Sequence, residues 1–112
     1  DIIQDKKVIK NINVVSKVIK TNIKDLKKYV DKIKEKLDNS IVLLAAVEDG
    51  RIGFACGVTK ELTKEYKAGD IVKTVAKITD GNGGGKPDFA QAGGKDVSKL
   101  NEAMGEVFNN LL

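Results

Sequence analysis

The chain is expected to adopt an α+β fold, a mixed β-sheet of three to four strands packed with helices, as a single compact domain with a glycine-rich loop. Three observations carry that expectation. Apolar residues change their spacing along the chain, from strand-like runs to intervals of three and four. Asp49-Gly50 separates two strand-like segments in the manner of a tight hairpin. Six of the eleven glycines fall between Gly81 and Gly94, around the single proline, Pro87. With 112 residues, 41% of them hydrophobic and 32% charged, the chain can bury one modest core, so residues 1–112 read as one domain.

Residues 6–15 are rich in β-branched side chains and predict a first strand, although their alternation is ragged. From Ile19 the period changes. Ile23, Leu26, Val30, Ile33 and Leu37 form the stripe of an amphipathic helix, with Asn22 placed to cap it and Asp25 in its first turn. Residues 41–47, IVLLAAV, make a continuous apolar run, as in a strand covered on both faces. After the Asp49-Gly50 turn, Ile52, Phe54, Cys56 and Val58 share one face of a returning strand. Gly53, Ala55 and Gly57 share the other, where a helix or loop could come close. Residues 59–67 connect, with room for a helical turn. Ile71, Val72, Val75, Ala76 and Ile78 mark a short helix from about Ala68, closed by Gly81 as a left-handed cap. Beyond the glycines, Asp96 caps a last helix with the stripe Val97, Leu100, Ala103, Met104, Val107, Phe108 and Leu111.

Composition narrows the chemistry. The chain has no histidine and one cysteine, Cys56, whose alternation with Ile52, Phe54 and Val58 reads as a small buried hydrophobe. Ser-His-Asp and Cys-His catalysis are therefore excluded, as are most zinc sites; no catalytic and no metal-ligating residues are expected. An internal disulfide is impossible, and a reducing, cytoplasmic location is expected. No apolar run approaches a membrane span, so no membrane partner is expected. A chain that begins at Asp1 without methionine is expected to be a piece of a longer protein. The net charge of +4 is uneven: residues 1–40 hold eleven lysines against six acids, or +5, leaving −1 for the rest. All but one of the cations are lysine, a point charge that suits phosphate better than base edges; the exception is Arg51. Lys27, Lys28 and Lys34 on the first helix are candidate phosphate contacts; the alternative is a solvated helix face.

The segment DGNGGGKPDFAQAGGKD, residues 80–96, invites a test for phosphate loops. A P-loop aligned on Gly85-Lys86 would put Asp80 at its first glycine and Pro87 at its magnesium hydroxyl. A dinucleotide fingerprint started at Gly81 would end on Lys86, and the segment follows a helix rather than a strand. Both fail. What remains is bare backbone at Gly83, Gly84 and Gly85, open to positive φ and to a ligand's approach. Lys86 places a cation at the rim, Pro87 stiffens the exit, Gln91 offers donor and acceptor, and Gly93 and Gly94 expose further backbone. The alternative is a loop packed tightly on the sheet.

Residues 83–94, GGGKPDFAQAGG, resemble the G-G-G-[RK]-P-x-x-A-Q-A-G-G signature of the C-terminal domain of the alanyl-tRNA synthetase family. Residues 41–63, IVLLAAVEDGRIGFACGVTKELT, resemble that domain's hairpin, and residues 66–78, YKAGDIVKTVAKI, its following helix. The resemblance implies a tRNA-binding domain that docks on the outer corner of tRNA, where the D and T loops meet, so that aminoacylation and editing act on one bound tRNA. The implied contacts are Gly83, Gly84, Gly85, Lys86, Pro87, Gln91, Gly93 and Gly94. The domain itself would hold no cofactor; ATP, magnesium and zinc would serve the catalytic and editing domains of the parent ligase. A homodimer of the full-length enzyme is implied through a helical segment, of which residues 1–7 are at most the tail. A structural or dimerisation domain, and the nucleic-acid-binding subdomain of a DHH-type phosphoesterase, are the alternatives. In the phosphoesterases the glycine run leads into histidine, whereas here it leads into Lys86-Pro87.

Overall fold

Six strands form one mixed sheet with helices on both faces; the computed structural model describes residues 2–109. Residues 7–18, whose start was expected to be one strand, divide into β1 (Lys7–Ile9) and β2 (Ile12–Val18), which pair antiparallel. Lys10 and Asn11 make the turn, both left-handed at φ 53° and 67°, which suits the twist of a two-residue hairpin. Helix α1 (Leu26–Lys36) then crosses over to β3 (Ser40–Glu48), which runs parallel to β2. β3 returns as β4 (Arg51–Val58) through Asp49 and Gly50 at φ 53° and 75°, the hairpin expected from the sequence. After a short 3-10 turn at Lys60–Leu62 comes α2 (Ala68–Ile78). The glycine segment follows, and α3 (Leu100–Asn109) ends the described chain.

The glycine segment is not a loop. It forms β5 (Asn82–Gly85) and β6 (Phe89–Gly94), an antiparallel pair added to the β4 side of the sheet, giving the order β1-β2-β3-β4-β6-β5. That pair, with the division of residues 7–18, raises the strand count from the three or four expected to six. Glycine and alanine carry little intrinsic strand preference, and here the partner strand β4 supplies the pairing instead.

Burial separates two cores. On one face Val14, Ile41, Leu43, Phe54, Cys56 and Val58 pack against Ile71, Val72 and Val75 of α2 and Met104 and Val107 of α3. On the other, Val15, Val42, Leu44 and Ala55 meet Leu26, Val30 and Ile33 of α1. Each such fully buried aliphatic residue contributes roughly 1.5–3 kcal/mol relative to exposure. Gly57 lets α1 lie close on β4, and Gly53 does the same for the 3-10 turn Ile23–Asp25 before it: a Cβ at Gly57 would come within 2.6 Å of Val30, and one at Gly53 would collide with Ile23. The bare face expected on β4 thus receives a helix. Cys56 is wholly buried, and burial pushes its thiol pKa far up, leaving it inert.

Several caps differ from expectation. Asn22 makes no side-chain cap; the Ile23 N–H instead donates to Glu48 Oε1 at 3.1 Å, across from the β3–β4 hairpin. At the end of α2 the left-handed residue is Asp80 at φ 59°, not Gly81. Gly81 donates to the Ala76 carbonyl at 2.7 Å and Asp80 to Lys77 at 3.3 Å, the paired bonds of a Schellman turn. Asp96 does cap, accepting from the Ser98 N–H at 3.1 Å, although the helix opens with a 3-10 turn before α3. Val97 of the last stripe is 42% exposed rather than core. Leu111 and Asp1 lie outside the described residues.

Candidate nucleic-acid interface

The hairpin of β5 and β6 is narrow because its residues are. Gly83 faces Ala92, Gly84 faces Gln91, and Gly85 faces Ala90 across the pair. None of Gly83 and Gly84 has positive φ, and Gly85, at φ 159°, is nearly extended, so the left-handed freedom expected of this run is not what it uses. Lys86 closes the hairpin by donating its N–H to the Phe89 carbonyl at 2.9 Å, leaving Pro87 and Asp88 as the turn. That turn is tied on both sides. The Ala68 N–H donates to the Pro87 carbonyl at 2.8 Å, and the Val58 N–H to the Asp88 carbonyl at 3.0 Å.

The glycines divide into two sets. A Cβ at Gly81 would overlap the Gly93 carbonyl, one at Gly83 would overlap Ala92, and one at Gly94 would overlap the Thr79 hydroxyl. At Gly85 it would stand 2.7 Å from the Ala90 Cα, and at Gly69 of α2 it would stand 2.9 Å from the Gly85 carbonyl. Internal packing explains glycine at these places. Gly84 and Gly93 are different. A Cβ at Gly93 would meet only the Ile52 carbonyl at 3.6 Å, ordinary contact, and at Gly84 only the flexible end of Lys73 at 3.3 Å. No neighbour in the fold requires glycine at either position.

Gly84, Gln91 and Gly93 sit on neighbouring register positions of β5 and β6, with Gln91 and Gly93 exposed. α1 packs on β3 and β4, and two of its lysines reach the hairpin, one at Phe89 of β6 and one at Asp88 of the turn. Lys27 places its ammonium 5.0 Å from the centre of the Phe89 ring while pairing with Asp31 at 2.9 Å. Lys34, about two turns along the same helix face, hydrogen-bonds the Asp88 carbonyl at 3.4 Å. Lys28 points elsewhere, over the ring of Tyr29 at 5.2 Å. Of the three lysines expected as phosphate contacts, the fold therefore brings Lys27 and Lys34 to the hairpin and leaves Lys28 apart.

Lys86 is exposed at the hairpin tip, with no partner for its ammonium among the described residues. Lys73 of α2, not singled out from the sequence, lies beside Gly84 from the opposite layer. Its only sequence signal is its place on the exposed face of the α2 stripe. The result is a bare strip of backbone across β6 and the edge strand β5, with cations around it from three elements and few groups that could do chemistry. Among the described residues no three His, Cys, Asp or Glu side chains are grouped to hold a metal ion, and no helix is long and apolar enough to cross a membrane.

Residues 11–112 match the DHHA1 domain family. The chain is 48% identical over 97 residues to an alanine–tRNA ligase of Carboxydothermus hydrogenoformans, covering 86% of this chain and 11% of that protein. It is 54% identical over 83 residues to an alanine–tRNA ligase of Fusobacterium nucleatum, covering 74% of this chain and 10% of that one. The chain thus spans about a tenth of the length of the curated relatives it matches. Among solved structures it resembles the C-Ala domain of the Aquifex aeolicus alanyl-tRNA synthetase, with a TM-score of 0.85 at 25% identity over 96% of this chain and 97% of that one.

Proposed function

The chain belongs to the DHHA1 domain family, and on that premise we propose that it is the tRNA-binding domain of an alanine–tRNA ligase, with the open side of the β5–β6 hairpin as its contact surface. The observation that carries this reading is the pair Gly84 and Gly93. Both are glycine where the fold does not need it, on a strip reached by Lys27, Lys34, Lys73 and Lys86.

The physics of that strip suits the corner of a folded tRNA, where a flat base pair is flanked by phosphates and 2′-hydroxyls. Backbone without side chains lies flat on such a surface, and edge N–H groups meet phosphate or ribose oxygens. Lys86 and its neighbours supply point charges for phosphate, and Gln91 a hydrogen bond to ribose. Recognition is by shape and charge, which fits a chain with one arginine. In the longer cytoplasmic enzyme this grip would hold one tRNA for aminoacylation and for editing. ATP, magnesium and zinc would work there in other domains, and a full-length homodimer would form through segments outside this fold.

A structural role for the hairpin is the competing reading, favoured by the glycines that packing does require. Lys86→Ala separates the two. Pro87 and the hydrogen bonds of the turn remain, so melting is expected to stay as in the wild type. tRNA binding is expected to weaken severalfold, and the slope of log affinity against log salt to become shallower by about 0.9, one phosphate contact. Unchanged binding and slope would favour the structural reading.

A further inference from the structure

We propose that the cleft at the open end of the β5–β6 hairpin seats a single unpaired nucleobase, a task separate from the phosphate contacts at the hairpin tip; the inference rests on the nucleic-acid reading above. The cleft has a volume of about 710 Å³ and lies between the β3–β4 turn and the paired ends of β5 and β6. That volume is in the range of small-molecule sites, roughly 300–1,000 Å³.

Charge distinguishes the cleft from the tip. Its lining carries Glu48, Asp49 and Asp80 against Arg51 and Lys95, a formal balance of −1. The smaller groove at the tip, about 380 Å³, carries Lys34 and Lys60 against Asp88, or +1. Free phosphate is therefore favoured at the tip and disfavoured in the cleft. A neutral ligand dense in hydrogen-bonding groups fits the cleft better.

The residues lining that space carry side chains that complement a base edge. Asp80 accepts only, Arg51 donates only, and Asn82 does both. None of the three has a side-chain hydrogen bond among the described residues, so their capacity is open to a ligand. Asp80 stands on backbone fixed by the Schellman turn, and Asn82 is held in β5 opposite Gly93. Glu48 is already engaged with the Ile23 N–H and serves as wall. For the flat face of a base, Ile23 supplies apolar surface, and Gly93 supplies floor without a side chain. This assigns Gly93 its second reason to be bare.

The test is a titration of the isotope-labelled 112-residue chain, followed by amide chemical shifts, with the four nucleosides, inorganic phosphate and tRNA as separate probes. At millimolar concentrations at least one nucleoside is expected to move the amides of Gly81, Asn82, Gly93 and Lys95, while phosphate moves those around Lys60 and Lys86. Asp80→Asn keeps a residue that tolerates the left-handed turn, and Gly93→Ala adds a methyl group for which the fold has room. Each is expected to weaken the nucleoside about fivefold, near the worth of one hydrogen bond, with melting unchanged. If no nucleoside moves the cleft amides, or both variants respond as wild type, the nucleobase seat is overturned. A tRNA response around the lysines in that case leaves the tRNA-binding reading standing, whereas no response to tRNA at all overturns that reading itself.

Discussion

Gly81, Gly83, Gly85 and Gly94 are pressed against backbone or a neighbouring side chain, whereas Gly84 and Gly93, in the same hairpin and the same short run, have space in front of them. In the first set a methyl group has nowhere to go. In the second it would cost the fold little, so the reason for glycine has to lie outside the fold. The contrast teaches that a glycine-rich run can serve two purposes at once. One set lets β5 and β6 pack under α2; the other leaves a strip of backbone across the two strands uncovered.

The largest effect expected from this contrast is on stability. Gly81→Ala sets a methyl group on the Gly93 carbonyl, and because backbone cannot swing aside the hairpin must move. A loss of about 3 kcal/mol or more is expected in denaturant unfolding, at or above the upper end for overpacking. A loss below about 0.5 kcal/mol, in the range of ordinary surface changes, would erase the distinction between the two sets.

A smaller effect separates the lysines of α1. Lys27→Gln with Lys34→Gln is expected to lower the salt slope of tRNA binding by about 1.8, two contacts, with little change in melting. Lys28→Gln alone is expected to leave slope and affinity unchanged, since Lys28 lies over the Tyr29 ring and not against Phe89 or Asp88. Equal effects from all three positions would mean that net charge, not placement beside the hairpin, draws the RNA.

Much of this fold is legible in the residues. The period-3/4 stripe marks the buried side of α1, and Ala68 to Ile78 delimit α2 with its apolar face. Asp49-Gly50 sets a turn that only residues tolerant of positive φ make easily. What escapes is where tertiary context overrides local preference. Lys10-Asn11 makes the same kind of turn without glycine, and β5 is a strand composed of Asn82 and three glycines. No pattern of side chains can announce a strand that has almost none. The site is legible to a similar degree. The segment could be located from its composition, but not which of its glycines face outward. Nor does the helix sequence tell Lys28 from Lys27: they are adjacent in the chain and about 100° apart around the axis, and only the packing of α1 on β4 decides which one meets Phe89.

The central claim, that the open side of the hairpin is a contact surface and not a packing surface, is tested most directly at Gly84. Valine there has no left-handed backbone to strain, its Cβ meets only the flexible end of Lys73, and it suits a strand. Thermal unfolding and tRNA affinity of Gly84→Val, measured on the same preparation, decide the matter. The expected result is a melting temperature equal to or slightly above that of the wild type, with tRNA affinity lower by about tenfold, or 1.4 kcal/mol. Stability that collapses, or affinity that survives the bulk at Gly84, would contradict it.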